Sequence, residues 1–486
     1  NGKREEALAC CKKAIEILPD YADGLLTIGN ILMAMGEAAK ALEFTRNANR
    51  VAPTDSAIHS NLIHTMNFVT EVKQEDIFRE SLRWGKRHAD KKNLRRPHLN
   101  SPNPDKRLRV GYVSGDFKLH PVSYHLKPVI AHHDRNSFEI YLYSTFKKSD
   151  VMTESLKEYA DHWRMVASVS DERLEEMIRV DGIDILVDLS GHTAFNRLGL
   201  FALKPAPVQV SWIGYYNTTG MKAMDYLISD EITIPVSDEQ WISEKIVKIP
   251  NGRFCYEPPF KNTDLAELPA LKNGFVTFGS FNKLVKVTKE TVSLWSAVLK
   301  SIAGSRLVIK THALNEQSAQ ERVIRLFQEC GVEADRLELR EDSPYLQMLE
   351  QYGDIDVALD TFPFNGGVTT CEALWMGVPV VTFSGHLPIS RQSASLLASC
   401  GLSSLVAYTQ DEFVSVVKTI TADSTELAKL RATMRERLAS SPLYDGQLFA
   451  GNLECAYREM WHCWCNSQKD SIRLPYSSKT SLDVYF

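Results

Sequence analysis

Two hydrophobic periods divide this chain. In residues 1–71 apolar and small side chains recur at helical spacing, and the pattern then repeats itself. "GKREEALACCKKAIEILP" from Gly2 is answered by "GEAAKALEFTRNANRVAP" from Gly36. Gly2, Ala7, Leu8, Ala14 and Pro19 return as Gly36, Ala41, Leu42, Ala48 and Pro53, each 34 residues later. That period is the tetratricopeptide one, with small residues where helices cross and Pro closing the second helix. The chain opens on Asn1 and Gly2 lies mid-repeat, so further repeats are expected upstream. Residues 72–105 read as a helix, "QEDIFRESLRWGKRHADKK", followed by a polar, proline-containing linker. From there the period changes. Buried-strand runs ("LRVGYVS", "FEIYLYST", "IDILVDLS", "PVQVSWIG") alternate with helical stretches such as "VSYHLKPVIAHH" over 106–250. A Pro-rich, polar connector fills 251–273. A second set follows in 274–466 with "GFVTFGS", "RLVIKT", "DVALDTF" and "PVVTFSG". Strands alternating with helices make parallel βαβ units. The fold class predicted is therefore α/β, two Rossmann-like halves facing one cleft, behind an all-α repeat segment. Residues 467–486 form a polar tail without an assignable role.

Composition adds little to this picture and removes several classes. With 44% hydrophobic and 24% charged residues, the chain is an ordinary globular one. A net charge of -5 speaks against nucleic-acid and anionic-membrane partners. No apolar run nears the ~20 residues that span a bilayer, and no signal peptide is visible. The nine cysteines have no CxxC pair or framework spacing, so most are expected to be reduced, buried thiols of a cytoplasmic protein, or a nuclear one in a eukaryote.

Candidate chemistry clusters where strands end, which is where ligands bind in open α/β sheets. The longest such stretch is "LDTFPFNGGVTTCEALWMGVPVV", 359–381. Gly366 and Gly367 allow close backbone approach, Val368, Thr369 and Thr370 open a helix, and Glu372 lies one turn in. A helix N-terminus with free N–H groups is a diphosphate cradle, and the acid suits ribose hydroxyls. "GSFNKLVKVTKETV" supplies Asn282, Lys283 and Lys286 before a helix near Thr288, as cations for a leaving diphosphate. Lys310, ending "RLVIK", is a weaker candidate of that kind. "SGDFKLHPVSYHL" places His120 at a strand end, and "DLSGHTAFNRL" places His192 similarly, with Asn217, Thr218 and Thr219 further along. Histidine titrates near neutrality and can hold or deprotonate an acceptor hydroxyl. Asp354 and Asp356 read literally as a metal-binding DxD. They sit at a strand entry instead, where Asp356 serves as a turn or cap residue, so no metal ligands are assigned. Trp212, Trp375 and Trp461 read as core.

These motifs, with "KPAPVQVSWIGYYNTTG" and "FGSFNKLVK", resemble the O-GlcNAc transferase and SPINDLY family, in which tetratricopeptide repeats are fused to a GT-B catalytic region. The resemblance runs to about residue 465. It implies an inverting, metal-independent transfer of one sugar from a nucleotide-sugar to Ser or Thr hydroxyls of proteins, which the repeats select. It makes His120 the active-site histidine, Lys286 the diphosphate-binding lysine, Val368–Thr370 the donor-phosphate helix start and Glu372 the ribose-binding acid. The animal enzyme has a histidine before the two threonines, where Gly367 stands here. It has a basic, histidine-bearing helix where "SPYLQMLEQYG" supplies Met348, and Asp in place of Glu372. "NTTG" and "TTCEALWMG" also sit closer to SPINDLY. The donor implied is GDP-fucose ahead of UDP-GlcNAc, the oligomeric state is left open, and the rival reading is a non-catalytic scaffold of repeats and a GT-B remnant.

Overall fold

The computed structural model describes residues 4–90, 96–260 and 263–472. Gly2 and the tail beyond Ile472 lie outside them. The repeat segment is four antiparallel helices, Arg4–Ile17, Ala22–Ala34, Ala38–Val51 and Ser56–Met66. The small residues do what the period requires. Ala41 and Ala48 are fully buried, and a Cβ on Gly29 would lie 2.8 Å from Thr45 Cγ2. Asp55 starts the fourth helix by accepting the N–H groups of Ala57 and Ile58. The linker helix Gln74–Trp84 runs into a π-helical turn, Gly85–Ala89.

The N-terminal half is one parallel sheet. Its strands are β1 (Leu108–Ser114), β2 (Phe138–Ser144), β3 (His162–Met165), β4 (Ile185–Asp188), β5 (Val208–Ser211), β6 (Tyr226–Ser229) and β7 (Lys245–Lys248), in the order β3-β2-β1-β4-β5-β6-β7. The C-terminal half repeats the design with β8 (Thr277–Ser280), β9 (Arg306–Lys310), β10 (Leu337–Arg340), β11 (Val357–Leu359), β12 (Val380–Phe383) and β13 (Val406–Ala407), in the order β10-β9-β8-β11-β12-β13. Helices cover both faces, so central strands such as β4 are buried throughout and read as unbroken apolar runs. Each sheet reverses its strand order once, between β1 and β4 and between β8 and β11. A crevice opens at such a switch point. The loops carrying His120, His192, Lys286 and Gly367 all leave these four strands.

Two expectations change. The closing helix, Gly446–Ile472, expected with the C-terminal half, packs on the N-terminal one, against the helix Pro121–His132. Tyr457 Oη donates to Tyr112 Oη on β1 at 3.2 Å, and Trp461 Nε1 donates to Asn103 O at 2.9 Å. Among the described residues no cysteine forms a disulfide, but only Cys255, Cys371, Cys400 and Cys465 are buried. Trp212, Trp375 and Trp461 are core, as read.

Candidate active site

A cleft of about 1480 Å³ lies between the two halves and is lined by both. On its N-terminal wall His120 caps the helix Pro121–His132, with Nδ1 3.4 Å from the Val122 N–H and 3.6 Å from Asp116 Oδ2. Pro121, which needs no N–H partner, occupies the first helical position. Burial holds the imidazole below the ordinary histidine range. Asp116 pulls it upward, and Lys283 and Lys118 press it down. The ring is therefore neutral at pH 7, and Lys283, from the opposite half, is close enough to be felt.

On the C-terminal wall Lys286 extends over the Phe364 ring, 4.0 Å from its centroid, and donates to Asn365 O at 2.7 Å. Burial lowers its ammonium to about 7, against the attraction of Asp360 and with the repulsion of Lys283. The glycine loop is held from below. Gly366 N–H donates to Asp360 Oδ1 at 2.6 Å, and Thr382 Oγ1 donates to Asp360 Oδ2 at 2.7 Å. The helix Val368–Trp375 then starts without a side-chain cap. Among the described residues no acceptor is found for the N–H groups of Gly367, Val368 and Thr369, so the positive end of the helix faces the cleft. Thr369 Oγ1 donates to Asn282 Oδ1 at 3.0 Å, joining the two candidate loops.

Glu372 lines the cleft one turn further in. Burial raises its carboxyl to about 7, and the Tyr345 phenol donates to Oε1 at 2.5 Å. Tyr345 lies nearly parallel to Tyr124, 6.2 Å between centroids and 11° between planes. Tyr124, Tyr345, Phe260 and Glu372 thus make an aromatic end with one acid in it. At the other end the cleft continues along the repeat segment past Asn30, Asn61, His64 and Phe68.

His120, Asn282, Lys283, Lys286, Gly367, Val368, Thr369 and Glu372 therefore meet in one space. Gly366 and Thr370 support it from behind; the Thr370 hydroxyl is engaged with Ser393 Oγ at 2.9 Å. His192 borders the cleft but is 1% exposed, bound between Ser60 Oγ and Thr219 O at 3.0 Å each, and its burial lowers it to about 3.

The cleft placement of Asn217, Thr218 and Thr219 is corrected. All three are fully buried beneath the linker helix. Gln74 and Asn217 exchange amide hydrogen bonds at 2.7 and 2.9 Å, and Thr218 Oγ1 donates to Glu244 Oε2 at 2.6 Å. The cause is backbone contact: a Cβ on Gly85 would sit 2.0 Å from Gly220 O, and one on Gly220 would sit 2.1 Å from Ser81 O. "NTTG" is the seat of the linker helix. Lys310 bonds to Glu341 O and does not line the cleft. Asp356 accepts the N–H groups of Ala270 and Thr277 at 2.8 and 2.7 Å, the cap role its position suggested. Among the described residues no cluster of three His, Cys, Asp or Glu side chains is arranged to hold a metal ion. Tyr345 and Asp116 are the contributors that sequence reasoning passed over. Tyr345 stands in the stretch read only for its lack of a basic residue, and Asp116 is four residues before His120 in the opening loop.

Two doubly wound halves facing one cleft, with an uncapped helix start in its wall, define a GT-B fold. The profile described as Glycosyl transferase family 41 matches residues 87–258 and 266–453, and one described as Tetratricopeptide repeat matches residues 1–62. The chain belongs to glycosyl transferase family 41. It is 36% identical over 432 residues to the "Probable UDP-N-acetylglucosamine--peptide N-acetylglucosaminyltransferase SPINDLY" of Petunia hybrida, covering 87% of this chain and 46% of that protein. The SEC protein of Arabidopsis thaliana, named as a probable transferase of the same kind, is 30% identical over 375 residues, 75% of this chain and 38% of its own. Among solved structures, a mutant O-GlcNAc transferase of Thermobaculum terrenum superposes with a TM-score of 0.91 at 37% identity, over 96% of this chain and 89% of that one. The chain spans about half the length of the curated relatives it matches. Among the described residues no helix is long and apolar enough to cross a membrane.

Proposed function

We propose that this chain is a protein O-glycosyltransferase that moves one sugar from a nucleoside diphosphate to a Ser or Thr hydroxyl, with inversion and without a metal. The observation that carries it is the convergence of His120 with Lys286 and the Gly367–Thr369 helix start across one cleft that continues along the repeat helices. In this reading the acceptor oxygen attacks the anomeric carbon as the bond from that carbon to the phosphate oxygen breaks. The hydroxyl proton passes to neutral His120, and the charge on the departing diphosphate is met by Lys286 and the helix N-terminus. Glu372, oriented by Tyr345, takes the ribose hydroxyls, with the base toward Tyr124 and Phe260. The repeat segment would carry the acceptor polypeptide, since its side chains continue the cleft wall. Nine cysteines without a disulfide among the described residues suit a reducing, intracellular compartment.

For the donor, GDP-fucose is our reading, on Gly367, Met348 and Glu372. The names of the SPINDLY and Thermobaculum relatives favour UDP-GlcNAc as the second reading. Calorimetric titration with GDP, UDP, GDP-fucose and UDP-GlcNAc in EDTA decides both points. Preference for the guanine pair supports the fucose reading, and preference for the uracil pair overturns it. Failure of all four to bind removes the enzyme reading and leaves the scaffold.

A further inference from the structure

Beside Gly367 lies a buried acceptor that nothing satisfies. Gln392 is 1% exposed and lines the cleft. Its Nε2 donates to Asn365 O at 2.8 Å, the same carbonyl that takes Lys286 Nζ at 2.7 Å. Both lone pairs of that oxygen are thereby used. This fixes the amide's orientation, because the flipped amide would set Oε1 against the Asn365 oxygen. Oε1 is left without a partner among the described residues. It points at the side-chain space that Gly367 leaves empty: a Cβ there would lie 3.4 Å from Oε1 and 3.7 Å from Cδ. Buried acceptors of native proteins are normally paired. One that is locked in place, unpaired, and next to an uncapped helix start is paired when a ligand arrives.

We infer that Gln392 Oε1 accepts a hydrogen bond from a hydroxyl of the transferred sugar, so that Gln392 is a specificity residue for the sugar rather than for the nucleotide. The inference rests on the donor reading above. Given a diphosphate on the helix N-terminus and Lys286, with the nucleoside at the Glu372 end, the group attached to the distal phosphate falls at the Gly367 end. Only there is the glycine gap available. A nucleoside diphosphate alone has no hydroxyl at that point and leaves Oε1 as it is.

The test compares Gln392→Met, which keeps length and removes the whole amide while Asn365 O still takes Lys286 Nζ, with wild type by calorimetry, using the free nucleoside diphosphate and its sugar conjugate. The expected result is a loss of roughly tenfold to hundredfold in affinity for the nucleotide-sugar, with the free nucleoside diphosphate unchanged. Gln392→Asn, which withdraws the same amide by one methylene, should give a loss in the same direction and serves if the Met variant does not fold. Unchanged affinity for the nucleotide-sugar, or equal loss for both ligands, overturns the inference. Wild type binding neither ligand would instead bring down the donor reading, so the two failures are told apart.

Discussion

The loops after β1 and β4 leave neighbouring strands at one switch point, and each delivers a histidine to the same crevice. They end in opposite states. His120 is partly open to the cleft, faces Asp116 and feels the lysine of the opposite half. His192 is sealed, each ring nitrogen bonded, one to Ser60 of the repeat segment and the other to Thr219. The topology that makes a site is therefore not enough. What separates the two is the repeat segment and its linker helix, which close over β4 and β5 and leave β1 open. The repeat segment and its linker helix are built into the N-terminal half, through Ser60–His192, Gln74–Asn217 and the Gly85–Gly220 contact, and the repeat segment also reaches the far half through the Arg322–Glu37 pair at 3.1 Å.

Substitutions can break or sharpen this contrast between open and sealed groups. The largest effect is expected at Lys286, an open one. Lys286→Ala should cost roughly 10²–10³-fold in transfer, read as release of nucleoside diphosphate in the presence of a Ser/Thr peptide mixture, with thermal unfolding little changed. Next is Glu372. Its carboxyl titrates near 7 in the folded protein, above the ordinary 4.5, with Tyr345, Tyr124 and Tyr256 as the ionisable groups facing it. Between those pH values the folded state holds the extra proton, so the contribution of Glu372 to stability falls as pH rises from 4.5 to 7, by about 3 kcal/mol, while buried histidines such as His64, His125 and His192 contribute in the opposite sense. Glu372→Gln keeps an acceptor for Tyr345, and in urea melts across this range its stability relative to wild type should rise with pH by that amount. A sealed group should behave differently. Asn217→Ala strands both amide atoms of Gln74 and should cost about 1–3 kcal/mol in thermal or urea unfolding, with transfer per folded molecule unaltered. The smallest effect is in pH. Lys286 loses its proton near 7 in the free protein, and a bound diphosphate raises that value. Affinity for the nucleoside diphosphate should therefore weaken as pH rises above 7, by up to about tenfold per pH unit, and the trend should vanish in Lys286→Ala.

Much of this was legible in the chain. The 34-residue repeat, the central strands and the loops with His120, Lys286 and Gly367 are local patterns, and local patterns survive in sequence. Edge strands were not, nor was β6, a four-residue run inside the sheet. β3, β7 and β10 are short and mostly half-exposed, so they lack the apolar run that marks a buried strand. β13 is two residues long. The return of the closing helix to β1 depends on Tyr457 and Trp461 finding partners more than 300 residues away. The sealing of Asn217–Thr219 depends on two glycines, Gly85 and Gly220, that meet only in space. "NTTG" follows a strand as a ligand loop would, and nothing inside those four residues tells that another helix sits on them. Tyr345 went unread because an aromatic in a short helix carries no period of its own.

The most direct measurement sets the two histidines side by side: His120→Ala and His192→Ala, each assayed for transfer and for unfolding temperature. Loss of transfer by roughly 10²–10⁴-fold at an unchanged melting temperature is expected for His120→Ala. A lowered melting temperature with transfer per folded molecule retained is expected for His192→Ala. Near-normal turnover by His120→Ala, or abolished turnover by a fully stable His192→Ala, would contradict the division of the crevice into an open site and a sealed joint.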